Sequence, residues 1–137
     1  MMNRKDQYKR KLEFIIDKIT HLPENLNDNE YYRDALYYRL QVAIDATMDV
    51  IAMVCKDLGI SVKDDYFNLD ELEKKKMFSS NLIKELHRWN GLRNILVHGY
   101  NKIEEETIIK EKIEVISSLK AFVKEVEVVI NEKINIS

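Results

Sequence analysis

Apolar residues recur along this chain at helical spacing, and five separate stretches carry the pattern. Tyr8, Leu12, Ile15, Ile16 and Ile19 make one face, which predicts a helix from about Arg4 to Leu22. Pro23 and the run Asn25–Asn29 end it. A second, longer stripe runs through Leu36, Leu40, Ala43, Ile44, Thr47, Val50, Ile51, Val54 and Leu58. It predicts a helix from about Asn29 to Leu58, closed by Gly59 as a left-handed cap. A helix of about 30 residues is about 45 Å long. That is more than one small core needs, so part of it is expected to serve a second subunit. A short third helix is expected over Asn68–Lys76, around Phe67, Leu69 and Leu72. Ser79 or Ser80 then caps a fourth from Asn81 to about Val97, with Leu82, Ile83, Leu86, Trp89, Leu92 and Leu96 inward. Gly91 lies inside it, where glycine costs about 1 kcal/mol relative to alanine. A close helix crossing would explain its presence, although chance would too. The last helix is expected from about Glu105 to Lys133, along Ile109, Ile113, Ile116, Leu119, Val123, Val126 and Ile130. No strand alternation, repeat or linker interrupts the pattern. The expectation is an all-α antiparallel bundle of about five helices, in a single domain covering residues 1–137.

Composition agrees with long helices and short connections. Three glycines and one proline are too few for a turn-rich β fold, and 45% apolar residues suffice for a core. The lone cysteine, Cys55, stands among Ile51, Ala52, Met53 and Val54 and reads as a buried, inert thiol. No internal disulfide can form, which suits a reducing cytoplasm. The N-terminus carries Arg4, Lys5, Lys9, Arg10 and Lys11 with no apolar run behind them, so no secretory leader is expected. Nor is any membrane span.

Charge changes the picture locally rather than globally. The formal net charge is −2. Between Lys74 and His98, however, Lys74, Lys75, Lys76, Lys84, Arg88 and Arg93 face Glu85 alone. Such a run would attract phosphates. A solvated basic helix face reads equally well.

Much chemistry is excluded by the residues present. Gly59, Gly91 and Gly99 are the only glycines, so there is no glycine-rich phosphate loop. His21, His87 and His98 lack metal-ligand spacing, and no metal or other cofactor is expected. His21 falls at a helix C-terminus, where a proton suits the dipole. Glu104, Glu105 and Glu106 read as a solvated helix start. Asp45 and Asp49, one turn apart, could touch a ligand, but a surface or interface role is the better reading.

What remains is Arg93, Asn94, His98 and Tyr100. Five residues of helix separate Arg93 from His98 by about 7.5 Å along the axis and about 140° around it. One phosphate would reach both only over the helix end or between two copies of the helix. Gly99 would stop the helix and expose the imidazole. The residue types suit cleavage of RNA, which carries its own nucleophile in the 2′-OH. Histidine can take that proton, and a guanidinium can stabilise the charge gathering on phosphorus-bound oxygens. Asn94 could orient a phosphate or the imidazole. Spacing alone leaves open that Arg93 and His98 are ordinary surface residues.

The stretch Gly91-Leu92-Arg93-Asn94-Ile95-Leu96-Val97-His98-Gly99-Tyr100 resembles the HEPN superfamily signature, Arg-x4-His. More narrowly, it resembles the HepT toxins, with the form Arg-x4-His-x-Tyr. A second stretch, from Tyr38 to Val50, resembles that family's Arg-Leu-Gln-x-Ala-Ile-(Asp/Glu)-x-x-x-Asp pattern. The resemblance implies a homodimeric bundle paired through its active-site helices. It implies a toxin of a toxin–antitoxin system, a metal-independent endoribonuclease with Arg93 and His98 as the catalytic pair and Asn94 in support. It implies a cognate nucleotidyltransferase antitoxin of the MntA type that transfers AMP onto Tyr100. Phosphates added there would compete for the substrate site. The alternative is a non-catalytic nucleotide- or RNA-binding helical module that partners a nucleotidyltransferase.

Overall fold

Helix ends in this chain lie where the unpaired backbone groups of the terminal turns find partners. The computed structural model describes residues 2–22, 30–98 and 105–134. Over these it forms α1 (Arg4–Thr20), α2 (Glu30–Asp57), α3 (Asp65–Lys74), α4 (Ser80–His98) and α5 (Glu105–Glu132). No strand occurs among the described residues. The Asn3 side chain accepts from the Asp6 amide and caps α1. The Ser79 hydroxyl accepts from Leu82 N–H at the start of α4, as expected. His21 sits at the C-terminal end of α1, also as expected.

Both ends of α3 differ from the expectation. It begins three residues earlier, because Asp64 accepts the Phe67 amide at 2.8 Å and caps it. It also ends earlier, because Lys76 turns left-handed, with φ of 57°. Lys76 N–H then donates to Glu73 C=O and Met77 N–H to Leu72 C=O, a Schellman closure made without glycine. Gly59 closes α2 in the same way, with φ of 79° and an Ile60–Cys55 bond of 2.8 Å.

The inward stripes of α1, α2 and α4 are largely those expected, built around Ile15, Leu36, Ile44, Leu86 and the fully buried Trp89. Cys55 is buried, and burial followed by the Glu71 charge pushes its thiol up to about 11. Two expectations fail. On α5 the inner face starts at Ile108 and runs through Val115, Leu119 and Phe122, while Ile109 is 37% and Ile113 68% exposed. At Gly91, an added Cβ would meet nothing within 4 Å among the described residues, so this chain makes no close crossing there.

Cross-helix pairs give the directions. Tyr8 with Asp57 and Arg39 with Asp17 run α1 antiparallel to α2. Ser79 with Glu125 and Arg88 with Glu114 run α4 antiparallel to α5. The antiparallel five-helix bundle is therefore as expected. Helix α2 lies at its centre, packed on α1, α3 and α4, while α5 closes against α1 and α4. Among the described residues, no helix is long and apolar enough to cross a membrane.

One polar network ties α1 to the far end of α2. Asp57 accepts from Arg4 Nε at 2.9 Å and from the Tyr8 hydroxyl at 2.6 Å. Burial alone would raise the Asp57 carboxyl, but the bonds from Arg4 and Tyr8 outweigh it and hold the group below its ordinary value. Asp57 therefore stabilises the fold fully above its unfolded value of about 3.9, and that contribution disappears as pH falls through the lower folded value. Asp57→Asn is expected to cost about 1–3 kcal/mol at neutral pH, read by urea denaturation. The gap to the parent protein should close in strong acid. An equal gap at both pH values would refute the assignment.

Candidate active site

The last two turns of α4 carry Arg93, Asn94 and His98, and their surroundings come from other helices. The apolar residues Leu92 and Leu96 anchor this stretch in the core. That packing leaves Arg93 half-buried at the seam with α2 and turns Asn94 and His98 outward. Arg93 Nε makes a short, charge-assisted hydrogen bond to Asp45 Oδ1 of α2. Its Nη1 donates to Asn94 Oδ1 at 3.0 Å. The guanidinium is thus held on two sides. His98 is the last residue of α4 and is exposed, about one and a half turns beyond Arg93. Tyr100, named in the sequence reading, lies outside the described residues, as does Gly99.

Carboxylates surround the arginine. Asp65, at the start of α3, is pushed above its ordinary value first by burial; the Arg93 charge opposes this, while Asp45, Asp49 and Asp64 add to it. Arg93 therefore faces Asp45 of α2 and the carboxyl of Asp65 at the start of α3. Asp45 was read from the sequence as a surface or interface residue. It is instead the partner that fixes Arg93 from 48 positions away. Its place in the second family-like stretch was the signal for it.

Three of the six bases between Lys74 and His98 are paired with acids, while Lys75, Lys76 and Lys84 are exposed. Lys74 pairs with Glu71 at 3.5 Å, and Arg88 with Glu111 and Glu114 at 3.3 and 2.7 Å. Arg93 pairs with Asp45. The acids that offset the run come from α2, α3 and α5, so a count along the chain overstates the local field. His87 is tied to Asp70 at 2.8 Å and stacked on Tyr66, a lock between α3 and α4 away from the Arg93 cluster.

Chemically, the α4 end offers a pre-oriented guanidinium, an amide and an exposed imidazole. The first can bind and stabilise a phosphoryl oxygen, and the last can move a proton.

The family described as "Ribonuclease HepT-like" matches residues 6–126. A protein of Archaeoglobus fulgidus named "Putative RNase" is 36% identical over 129 residues, covering 94% of this chain and 97% of its own length. Among solved structures, a mutant of an MntA–HepT toxin–antitoxin complex superposes with a TM-score of 0.78 at 16% identity, covering 88% of this chain and 98% of the other. A tri-AMPylated Shewanella oneidensis HEPN toxin, in complex with an MNT antitoxin, gives a TM-score of 0.69 at 19% identity, covering 88% and 91%. At these identities the structural likeness shows a shared fold.

Proposed function

Since this chain belongs to the HepT-like ribonuclease family, we propose that it is the toxin of a toxin–antitoxin pair and cleaves RNA without a metal, with Arg93 and His98 as catalytic residues. The observation that carries the reading is the guanidinium of Arg93, fixed by Asp45 and Asn94 on the helix that ends at the exposed His98.

In this mechanism the substrate supplies the nucleophile. His98 takes the proton of the 2′-OH, the 2′-oxygen attacks phosphorus, and the bond to the 5′-oxygen breaks. The leaving oxygen collects a proton from an acid. Arg93 binds the non-bridging oxygens and gains strength as charge builds on them. Asn94 steadies the guanidinium or a phosphate oxygen. Asp45 is a positioning residue that acts through Arg93.

A second copy of the chain completes the site. Arg93 and His98 point about 140° apart around one helix, so a cleft between two α4 ends lets one His98 serve as base and the other as acid. Exposed apolar residues support such a pairing. Ile95 on α4 is 51% exposed, and Ile109 and Ile113 are exposed near the start of α5, which packs on α4. The partner is a nucleotidyltransferase antitoxin of the MntA type, in keeping with the complexes that share this fold.

The test is cleavage of total RNA or tRNA in EDTA by the protein and by its Arg93→Ala and His98→Ala variants. Undiminished cleavage in both variants would sink the assignment. RNA binding without any product would favour the non-catalytic module. Light scattering at micromolar concentration should report a dimer, and a monomer would refute the shared cleft.

Asp45→Ala offers a finer check. Losing a hydrogen bond to a charged group is worth about 1.5–3 kcal/mol, so cleavage should fall about tenfold or more with the helical content kept. A rise in cleavage would mean that Asp45 competes with the substrate phosphate instead of orienting Arg93.

A further inference from the structure

The seam between α1 and α2 opens into a groove beside Arg93. Its volume is about 530 Å³, within the range of sites that hold a small organic ligand. Arg10, Lys11 and Phe14 of α1 line one wall, and Val42, Asp45 and Asp49 of α2 line the other. Asp45 is common to both places, since the carboxylate that lines the groove also holds Arg93. The groove therefore reaches the carboxylate that holds Arg93.

Its walls have a consistent chemistry. Phe14 is 41% exposed, which leaves part of its ring open to the groove. The Lys18 ammonium lies 5.2 Å from the centre of that ring. Lys11 reaches across the groove to Asp49 at 3.1 Å, and Arg10 is exposed on the same wall. One side thus presents cations around an aromatic ring. The other presents two carboxylates that can only accept hydrogen bonds when ionised.

A lipid surface or a simple anion would be repelled by Asp45 and Asp49. A nucleotide uses every group. Its phosphates suit Arg10, Lys11 and Lys18, and its base suits the face of Phe14. The exocyclic amines of adenine, cytosine and guanine are donors for a carboxylate, whereas uracil has no such amine and offers only its ring N3–H. A base can enter only when it is unstacked, as in loops and single strands.

We propose that this α1–α2 groove seats the unpaired nucleotide next to the scissile phosphate, selecting single-stranded or loop RNA and disfavouring uridine at that position. The inference rests on the ribonuclease reading above and names the substrate class of the same site. Phe14 supplies the stacking platform, and Asp49 reads the base through its carboxylate once Lys11 turns to the phosphate.

The test uses the full-length His98→Ala protein, which binds without cutting, and fluorescent oligoribonucleotides of the four homopolymers plus a duplex. Adding Phe14→Ala should weaken single-strand binding about fivefold or more, the size of one base stack. Adding Asp49→Asn should flatten the preference against oligo-U. The duplex should bind more weakly than any amine-bearing single strand. Unchanged affinity in Phe14→Ala, or a duplex bound as tightly, would overturn the proposal. So would a change in oligomeric state of Phe14→Ala by light scattering, which would make the groove an interface between copies. Failure of the ribonuclease reading shows elsewhere, as absence of cleavage by the protein with His98 intact, while oligonucleotide binding still reports on the groove.

Discussion

Replacing His98 by Ala is expected to lower RNA cleavage by about 10²–10⁴-fold, the usual worth of a positioned general base or acid. The loss should be chemical rather than structural. His98 is exposed and is the last residue of α4, so removing its ring empties no core space. Helical content and the mass read by light scattering should stay as they were, and RNA binding should persist. Arg93→Ala should cost about 10²–10³-fold, as for loss of one transition-state donor. It should also disturb its neighbours, because Asp45 and Asn94 lose their partner. The two variants therefore differ in a checkable way. His98→Ala should unfold like the parent, while Arg93→Ala should shift the unfolding midpoint.

The shared cleft adds a sharper readout. If one cleft needs a His98 from each copy, a dimer with one altered chain is dead. Mixing equal amounts of parent and His98→Ala chains, with subunit exchange, should leave roughly a quarter of the activity under random pairing. Independent sites would leave roughly half. Retention of half the activity would keep His98 as a catalytic residue but place both halves of the chemistry on one chain.

How far these features could be read from the sequence differs by feature, for physical reasons. The long helices were legible because Leu36 to Val54 and Leu82 to Leu96 keep one apolar stripe over many turns. On α5, Ile108 and Ile109 offer two adjacent starting points, so two stripes fit the same run. Contact with the rest of the bundle chose Ile108. The start of α3 turned on one hydrogen bond from Phe67 N–H to Asp64, which leaves no mark on periodicity. The candidate site split in the same way. Arg93, Asn94 and His98 were visible as residue types at a spacing. Asp45 was not, because its role depends on α2 crossing α4. The two readings of the basic run stayed open in the sequence for the converse reason, since Glu111 and Glu114, the partners of Arg88, arrive from a helix still to come in the chain.

Exposure to the cognate nucleotidyltransferase and ATP is expected to silence the protein, and Tyr100→Phe should escape. In the proposed transfer, the Tyr100 oxygen would attack the α-phosphorus of ATP, the bond to pyrophosphate would break, and the phenolic proton would leave to a base or solvent. Each transfer leaves a phosphodiester with one negative charge and an adenosine. Tyr100 stands two residues beyond His98 in the chain, so the new group is tethered within reach of the helix end. There its charge meets the guanidinium of Arg93, which is the group that would bind the substrate phosphate. The tethered phosphate needs no diffusion to compete, so its effective concentration far exceeds that of free RNA. Repeated transfer onto the first AMP would deepen the block by adding both charge and bulk. Intact mass should rise by whole AMP units as cleavage falls, and both changes should be absent in Tyr100→Phe. That variant should still cut RNA, because the phenolic oxygen has no part in the cleavage step. A mass increase that persists in Tyr100→Phe would move the modification to another residue. Silencing with no mass change would mean that the antitoxin acts by covering the α4 end, and Tyr100 would then have no role as a switch.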